Sequence, residues 1–419
     1  MKRFSAHNIN LLHISVQDKI PPTMPMTSFL FAAVGVALIV VTLPVTLELA
    51  VLTAASFLPK RKVKSSTSPV DLNLAVIVPA HNEELLIARS VRSVLESAGL
   101  SQTRVVVIAH NCSDGTAGRA ADAGAEVLVY NDPNARGKGF ALRQGFEQVF
   151  SQGADAALVI DADSLVSENL VGAVREAISR GASIVQCRYE MASGNGGARA
   201  KLAALALRGF NLLRPTGRDR LGLSCGILGN GFAIRKSVFL ETPYNALSLV
   251  EDLEYHLHLV MAGHRVHFLD QAKVSAELPP SPAGETTQRS RWEGGRFLAA
   301  RRRTGPLLKQ VLGGRLRLLE PLMDLSGLPL AYAALALLLA LSLPLEWLRI
   351  YAAVALAIVG LHVLAAAWAG EEFWSDVRLL AAAPAYILWK LRIIPRLLRD
   401  SSAGAGWVRT EREPVARKL

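Results

Sequence analysis

The sequence predicts an α/β domain with a mostly parallel sheet, flanked by helices that cross a membrane. Between residues 72 and 303, short apolar segments rich in Val and Ile alternate with segments of helical pattern. This alternation is typical of a parallel sheet with helices on both faces. Uncharged apolar runs precede and follow the region, and hydrophobic residues make up 51% of the 419-residue chain. That share is high for a purely soluble protein.

The chain begins with residues 1–26, a polar stretch to which we assign no fold. The first membrane helix is predicted over residues 27–58, because residues 21–47 carry no charge and the apolar run continues to Leu58, long enough to cross about 30 Å of hydrocarbon. Glu48 interrupts the run, so we expect its side chain to face protein or lie near an interface. The basic cluster Lys60–Lys64 places the following domain on the cytoplasmic side by the positive-inside rule.

The α/β domain is predicted over residues 72–303. Its strands are expected where apolar and β-branched residues concentrate, at 74–79, 104–109, 126–129, 157–160, 183–191 and 265–269, with a Gly-rich segment of strand character at 224–234. Its helices are expected at 84–98, 139–149, 198–213 and 249–261.

Membrane character returns after the domain. We predict an interfacial helix over residues 304–324. Two uncharged runs of 21 residues each, 325–345 and 350–370, predict a transmembrane hairpin. Residues 377–399 hold too short an uncharged run for a span, so an interfacial or re-entrant helix is expected there, followed by a basic tail over 400–419.

The bulk charge narrows the class of partner. The net charge is +11, and much of the basic excess lies beside apolar segments, which favours membrane lipids or phosphate-rich substrates. Aromatic residues make up only 6% of the chain, and no basic-aromatic platform indicates nucleic acid. The three cysteines are far apart, which favours a reducing compartment. The histidines and cysteines show no metal-ligand spacing.

Asp161-Ala162-Asp163 ends the fourth predicted strand. Two carboxylates spaced i, i+2 point the same way in an extended segment, and oxygen ligands of this kind suit Mg²⁺ or Mn²⁺. Ligands bind outside the carboxyl ends of strands in open α/β sheets. The alternative for this pair alone is a solvated turn.

Two glycine-containing segments suit a bound ligand. In Arg136-Gly137-Lys138-Gly139, a lysine lies at a predicted helix N-terminus, where exposed N–H groups favour phosphate. The glycines of Gly229-Asn230-Gly231 permit close approach of backbone to a ligand. The alternative for the Lys138 segment is a surface turn.

Further polar groups follow strands or open helices. Pro79-Ala80-His81-Asn82-Glu83 follows the first strand and has groups that can bind nucleoside hydroxyls, or alternatively cap the next helix. Glu251-Asp252 can accept a proton from a sugar hydroxyl, or simply favour a helix N-terminus. Gln288-Arg289-Ser290-Arg291-Trp292 offers arginines for a diphosphate and a flat ring for a sugar. Its alternative is a basic helix on an anionic membrane.

Taken together and in this order, the six motifs resemble those of inverting family 2 glycosyltransferases with a GT-A, Rossmann-like fold. The resemblance covers residues 73–300 and is closest to the membrane-embedded group that includes cellulose, chitin and hyaluronan synthases and ceramide glucosyltransferases. The Gln-x-x-Arg-Trp element at Gln288–Trp292 is its most specific motif.

The resemblance implies a role for each position. Pro79, His81, Asn82 and Glu83 would contact the donor, with Glu83 at the ribose. Lys138 would lie near the diphosphate, and Asp161 and Asp163 would hold Mg²⁺ or Mn²⁺, Asp163 more directly. Gly229, Asn230 and Gly231 would line the substrate site. Asp252, with Glu251 beside it, would be the general base. Gln288, Arg289, Arg291 and Trp292 would hold the diphosphate and the acceptor.

His110 stands where relatives commonly have an Asp that contacts a uridine base. The expected donor is a nucleotide sugar, with a UDP-sugar as the first candidate.

Three functions follow as hypotheses. The first is transfer of a hexose or N-acetylhexosamine to a growing polysaccharide, with export or polymerisation partners. The second is transfer of a single sugar to a lipid-linked or sphingolipid-like acceptor. The third is a non-catalytic membrane sensor of nucleotide sugars, which has no need of Asp252. The Ala-rich composition favours a bacterial inner (cytoplasmic) membrane as the location.

Overall fold

A computed structural model of the chain describes residues 26–60, 72–194, 196–279 and 281–400. The predictions for most of the N-terminal tail, for the basic cluster after Lys60 and for the C-terminal tail beyond residue 400 lie outside these residues. At residues 282 and 396–400 the structure describes the backbone only.

One mixed sheet forms the centre of the α/β domain. Its strands are β1 (Leu74–Ala80), β2 (Arg104–His110), β3 (Glu126–Tyr130), β4 (Ala156–Val159), β5 (Leu165–Val166), β6 (Ile184–Ala192), β7 (Phe232–Arg235) and β8 (His267–Glu277). Their spatial order is β3-β2-β1-β4-β7-β6-β8-β5. β3, β2, β1 and β4 are parallel, β7 runs antiparallel to β4 and β6, β6 and β8 are parallel, and β5 is antiparallel to β8. The predicted fold class is confirmed.

Helices cover both faces of the sheet and continue beyond it. They are α1 (Met26–Ser56), α2 (Ile87–Ala98), α3 (Thr116–Asp122), α4 (Lys138–Ser151), α5 (Leu170–Ser179), α6 (Ala198–Arg208), α7 (Arg214–Leu221), α8 (Lys236–Glu241), α9 (Glu251–Ala262), α10 (Pro282–Leu312), α11 (Leu319–Ser326), α12 (Leu330–Ser342), α13 (Glu346–Trp368), α14 (Phe373–Leu379) and α15 (Ala383–Asp400). A π-helical turn, Gly209–Leu213, joins α6 to α7, and short 3₁₀ turns, Leu316–Leu318 and Leu380–Ala382, precede α11 and α15.

The central strands explain why the sheet forms a two-sided core. All seven residues of β1 are buried, as expected for a strand covered on both faces. Alternate residues of β1 contribute to two apolar clusters, one with α2 and α5 and the other with α4 and α9. A Cβ at Gly145 of α4 would lie 2.6 Å from Ile77 Cγ2, so the glycine lets α4 pack directly on the sheet. β1 lies between β2 and β4, so the strand order changes direction there. The topological switch point, where ligands bind in such sheets, is at the carboxyl ends of β1 and β4.

Two helices in the described part of the chain are long and apolar enough to cross a membrane. They are Met26–Ser56 and Glu346–Trp368, which correspond to the predictions at 27–58 and 350–370. Glu48 is 3% exposed and packed against protein, as expected.

The predicted span over 325–345 is wrong as one straight helix. The helix covers only Leu330–Ser342 and is bent by 79° from the preceding helical segment, Leu316–Ser326. A third crossing exists only if these two segments together count as one span. Pro329 and Pro344 flank it. Proline restricts the residue before it to extended conformations, which ends the helix at Ser342.

The predicted boundary at 303/304 is also displaced. α10 continues through it to Leu312, and the chain turns at Gly313 and Gly314, where φ is +94° at the second glycine. The predicted interfacial region 304–324 is therefore the end of α10, a 3₁₀ turn and most of α11. Residues 377–399 fall mainly on α15, which packs along α10 through a buried ion pair between Lys390 and Glu293.

Candidate active site

A cavity of about 680 Å³ opens at the carboxyl ends of β1, β2 and β4. Eight predicted site residues line it: Pro79, His81, Glu83, His110, Lys138, Asp161, Asp163 and Arg291. Sequence positions more than 200 residues apart thus meet in one site, at the edge where ligands bind in open α/β sheets.

The loops after β1 and β2 are joined by side-chain hydrogen bonds. Asn82, with φ of +55°, accepts a bond from the Ser113 N–H through Oδ1 at 2.7 Å. The Glu83 N–H donates to Thr116 Oγ1 at 2.8 Å, and His81 Nδ1 lies 2.8 Å from the His110 carbonyl oxygen. Asn82 therefore shapes the wall of the cavity, while its direct contact with a donor stays a prediction.

His110 ends β2 on the cavity wall. Its ring stacks on Tyr130, with centroids 5.2 Å apart, and the residue is 4% exposed. Burial lowers the pKa of His110 below its ordinary value, so the ring is neutral at physiological pH. Its Nε2 lies 3.2 Å from Asn111 Nδ2, so the ring is also held by the neighbouring loop.

Asn111 has a structural role that the sequence analysis missed. It has φ of +51°, a conformation in which Asn is enriched among non-glycine residues. Its Nδ2 donates to the carbonyls of Asp132 at 2.9 Å and Ala135 at 3.1 Å, and its Oδ1 accepts from the Asp132 N–H at 2.7 Å. Asn111 thereby fixes the loop that leads into Lys138.

Lys138 opens α4 and faces carboxylates. Its ammonium donates to the Gly229 carbonyl at 2.6 Å and forms an ion pair with Asp161. Burial alone would lower the pKa of Lys138, but Asp161, Glu251 and Asp252 outweigh it and raise the pKa above its ordinary value. The lysine thus brings a positive charge to the cavity wall.

Gly139 explains why a small residue follows Lys138. A Cβ there would lie 2.3 Å from the Ala246 carbonyl oxygen. The first turn of α4 therefore packs directly on the segment that leads into α9.

Asp161 and Asp163 both line the cavity beyond the end of β4. The Asp161 N–H donates to Asn230 Oδ1 at 3.0 Å, and Asp163 Oδ1 accepts from Ser164 Oγ at 3.2 Å. Within the described ranges no group of three or more His, Cys, Asp and Glu side chains is arranged to hold a metal ion. Two cavity-facing carboxylates nevertheless fit a cation whose remaining ligands are water and substrate phosphates.

The segment Gly229-Asn230-Gly231 forms the framework behind the carboxylates. Both glycines have positive φ, +77° and +71°. Asn230 is fully buried and donates to Ser164 Oγ at 2.8 Å. A Cβ at Gly229 would lie 3.1 Å from Asp252 Oδ2. Asn230 thus contacts the backbone of Asp161, and Gly229 lies next to Asp252. The predicted contact of this segment with substrate stays a prediction.

Glu251 and Asp252 begin α9. Burial and the charge of Asp252 raise the pKa of Glu251 to about 7, and burial raises the pKa of Asp252 as well. Asp252 Oδ1 accepts a hydrogen bond from the Leu253 N–H at 2.8 Å. A carboxylate whose pKa lies nearer to neutrality is a better proton acceptor.

Of the Gln288–Trp292 motif, Arg291 lines the cavity. Burial lowers the pKa of its guanidinium, while Glu251 and Asp161 favour the charged form. Gln288 and Arg289 are 5% and 9% exposed and do not line the cavity, and Trp292 packs against an apolar cluster that includes Met191, Ala203 and Leu278. Their contact with a ligand stays a prediction, since the structure brings only Arg291 to the site.

Other cavity residues were missed or left without a role by the sequence analysis. The cavity is also lined by Ala80, Asn111, Cys112, Asn131, Pro133, Arg136, Gly137, Ala141 and Ala162. Tyr189 of β6 does not line the cavity, but burial and the charges of Asp161 and Asp252 raise the pKa of its hydroxyl. Asn111 and Asn131 come directly after β2 and β3, and this position at the carboxyl end of a parallel strand could have predicted that they line the site.

Comparisons with known proteins agree with this fold. The family model described as "Glycosyltransferase like family 2" matches residues 72–295. The probable glycosyltransferase YdaM of Bacillus subtilis is 23% identical over 232 residues, which are 53% of this chain and 54% of that protein. The chain thus spans about half the length of the curated relative it matches.

Solved structures provide a second comparison. A mannosyltransferase, PcManGT of Pyrobaculum calidifontis in complex with GDP-Man and Mn²⁺, has a TM-score of 0.53 at 18% identity, over 88% of this chain and 98% of that one. Mannosyl-3-phosphoglycerate synthase of Rubrobacter xylanophilus has a TM-score of 0.38 at 20% identity, over 55% and 74%. The first of these likenesses supports the fold.

Proposed function

The chain belongs to glycosyltransferase family 2, and we propose that it transfers a hexose or N-acetylhexosamine from a nucleotide sugar to a growing polysaccharide, with inversion. A UDP-sugar is the first candidate donor, and the product would be an exopolysaccharide or another cell-surface glycan. One observation carries the proposal. Lys138, Arg291 and the two acids Asp161 and Asp163 line one cavity, and Glu251 and Asp252 are close enough to raise the pKa of Lys138.

Lys138 and Arg291 supply the positive charge for the leaving nucleoside diphosphate. Both sit on the cavity wall opposite or beside carboxylates. Cations held in place before the reaction stabilise charge that develops on a leaving group without costly reorganisation. The donor nucleoside would extend from there toward Glu83 and His110, at the ends of β1 and β2.

Asp161 and Asp163 would hold a Mg²⁺ or Mn²⁺ ion, with Asp163 the more direct ligand. Such an ion, when bound, neutralises charge on the diphosphate oxygens. PcManGT was solved with Mn²⁺, which is consistent with this assignment. Lys138 forms an ion pair with Asp161, which orients that carboxylate in the cavity.

Asp252 is the proposed general base. It would take the proton of the acceptor hydroxyl while that oxygen attacks the anomeric carbon, as the bond to the diphosphate breaks. One displacement of this kind converts an α-linked donor into a β-glycoside. Burial raises the pKa of both acids, and the charge of Asp252 adds to the rise at Glu251.

We place the catalytic domain on the cytoplasmic side of a bacterial inner membrane, with membrane lipids around α1 and α13. This placement rests on the two helices of spanning length and on the basic cluster after Lys60.

A lipid-linked or sphingolipid-like acceptor that receives a single sugar is the second candidate. It is favoured by the path of α10. Arg291 lines the cavity, and Glu293 two residues later accepts a hydrogen bond from the hydroxyl of Tyr332 on the apolar helix α12, at 3.3 Å. The cavity residue Arg291 thus lies close along α10 to a contact with the apolar helix α12, which supports an acceptor that approaches from the lipid.

The test uses membranes that carry this chain, a panel of labelled nucleotide sugars and Mn²⁺ or Mg²⁺. We expect one donor to release nucleoside diphosphate and to label a polymer or a lipid. Asp252→Asn should reduce release by at least about a hundredfold, whereas Asp270→Asn, a surface change paired only with Lys60 in the described residues, should not. Equal release by wild type and Asp252→Asn would overturn the base assignment. A discrete one-sugar product would exclude the polymer.

A further inference from the structure

Glu48 of α1 is bound by arginines of the helix that follows α6 and its π-helical turn. Its carboxylate is 2% exposed, accepts a hydrogen bond from Arg218 at 2.7 Å and pairs with Arg214. Both arginines belong to α7. A Cβ at Gly217, between them, would lie 2.3 Å from the Leu52 carbonyl oxygen. The backbones of α1 and α7 are therefore in direct contact beside the ion pairs.

The same arginines continue to the helix that carries the cavity arginine. Asp324 of α11 accepts from Arg214 at 2.5 Å and lies 3.1 Å from Arg218. It also accepts from Arg296 of α10 at 3.0 Å. Arg296 follows Arg291 by five residues on the same helix. A continuous chain of ion pairs thus joins the membrane-type helix α1 to α10, one and a half turns from the active-site cavity.

The cluster is balanced in charge and well shielded from water. With Glu320, which pairs with Arg218, it contains three carboxylates and three guanidinium groups. Five of the six side chains are between 2% and 14% exposed, and Arg296 is 20% exposed. Apolar residues could pack α1 against α7 without any charge, so the ion pairs are not needed for anchoring alone. Buried pairs are best suited to fixing one geometry.

Arg296 and Arg291 are separated by about 7.5 Å along the helix axis and by about 140° around it. Holding Arg296 therefore fixes the rotation of α10 about its axis, and this rotation decides whether Arg291 points into the cavity. α15 holds α10 from another side, through Lys390 and Glu293.

We propose that Glu48 is a positioning residue for the transfer reaction. Through Arg214, Arg218, Asp324 and Arg296 it sets the orientation of α10 and so keeps Arg291 aimed at the donor diphosphate. The N-terminal helix is then part of the catalytic unit as well as an anchor. The proposal rests on the proposed function, because it needs Arg291 to bind the diphosphate.

The test measures donor KM, kcat and the inhibition constant Ki of the nucleoside diphosphate for the full chain in membranes. Glu48→Gln removes the charge and should raise both the donor KM and Ki about tenfold, and Glu48→Asp should restore part of the loss. The matched control is Thr42→Val, on the same helix. Thr42 is fully buried, and its hydroxyl lies 2.8 Å from that of Tyr351, outside the ion cluster. It should leave Ki unchanged.

A double-mutant cycle separates positioning from general stability. If Glu48 acts through Arg291, Glu48→Gln should have little further effect on Ki in an Arg291→Gln background. Additive effects would overturn the positioning role. If Glu48→Gln does not accumulate as a folded protein, Arg296→Lys, at a more exposed end of the cluster, replaces it in the cycle.

The measurements distinguish failure of the proposed role of Arg291 from failure of the positioning role of Glu48. If Arg291→Gln alone leaves Ki unchanged, the proposed role of Arg291 fails, and the positioning proposal fails with it. If Arg291→Gln raises Ki but Glu48→Gln and Arg296→Lys do not, the proposal for Glu48 alone is overturned.

Discussion

Gly229 is the position where a single methyl group tests the geometry of the site most sharply. It has φ of +77°, and its carbonyl oxygen accepts a hydrogen bond from the Lys138 ammonium at 2.6 Å. A Cβ added at this position would lie 3.1 Å from Asp252 Oδ2. Gly229→Ala therefore adds an atom between the proposed base and the segment that holds the lysine. We expect a loss of activity larger than the loss of stability explains.

The magnitude follows from two separate effects. A left-handed backbone costs an alanine about 1–2 kcal/mol relative to glycine, which lowers the free energy of unfolding. The new Cβ also forces Asp252 or its neighbours to shift by a few tenths of an ångström. Since a misplacement of about 1 Å can cost about a hundredfold in rate, we expect kcat to fall about tenfold.

The assay compares Gly229→Ala with Gly153→Ala for kcat and for thermal unfolding. Gly153 has φ of +92°, and a Cβ added there would have no neighbour within 4 Å, so this variant has the same backbone cost without the contact. Both variants should lose similar stability, and only Gly229→Ala should lose kcat. Equal kcat in the two variants would refute the inference that a Cβ at Gly229 displaces Asp252, the proposed base.

Four further predictions concern the cavity. Lys138→Met should raise the Ki of the nucleoside diphosphate at least tenfold, as measured by product inhibition, and an unchanged Ki would show that the lysine does not face the diphosphate. Activity should fall as the pH drops through the raised pKa of the Glu251–Asp252 pair, near 7 for Glu251, because the base must be ionised; a pH–rate profile still flat at pH 5 would argue against the pair. Asp163→Asn should increase the Mn²⁺ concentration needed for half-maximal activity, and activity that survives chelation would exclude the metal site. A nucleoside diphosphate should slow the alkylation of Cys112, which lines the cavity, as followed by mass spectrometry. Equal alkylation rates with and without the nucleotide would show that the nucleotide binds outside this cavity.

The central part of the fold follows from the sequence because its signals are local. β1 and β2 lie within one residue of their predicted bounds, since unbroken runs of Val and Ile are typical of strands buried on both faces. Parallel strands bring their carboxyl ends to one edge. For this reason the order of strands and motifs along the chain is enough to expect Pro79, His110 and Asp161 in one site.

The rest depended on contacts between distant segments. Trp292 belongs to a recognisable motif, but only its packing against β6, β8 and α6 decides that it lies outside the cavity. The helix Leu330–Ser342 is shorter than the run of 21 uncharged residues that contains it. Hydropathy alone did not predict its length, because it contains no information on the bend that precedes the helix. Glu48 was expected to face protein, yet its partners on α7 are more than 160 residues away.

The anomeric configuration of the product tests the central claim most directly. An α-linked nucleotide sugar should be incubated with the full chain in membranes, and the first glycosidic bond formed should be examined by NMR before any secondary reaction. We predict a β-linked product, because Asp252 acts as a base in a single displacement. An α-linked product would contradict this mechanism, since retention requires a different use of the carboxylates in the cavity.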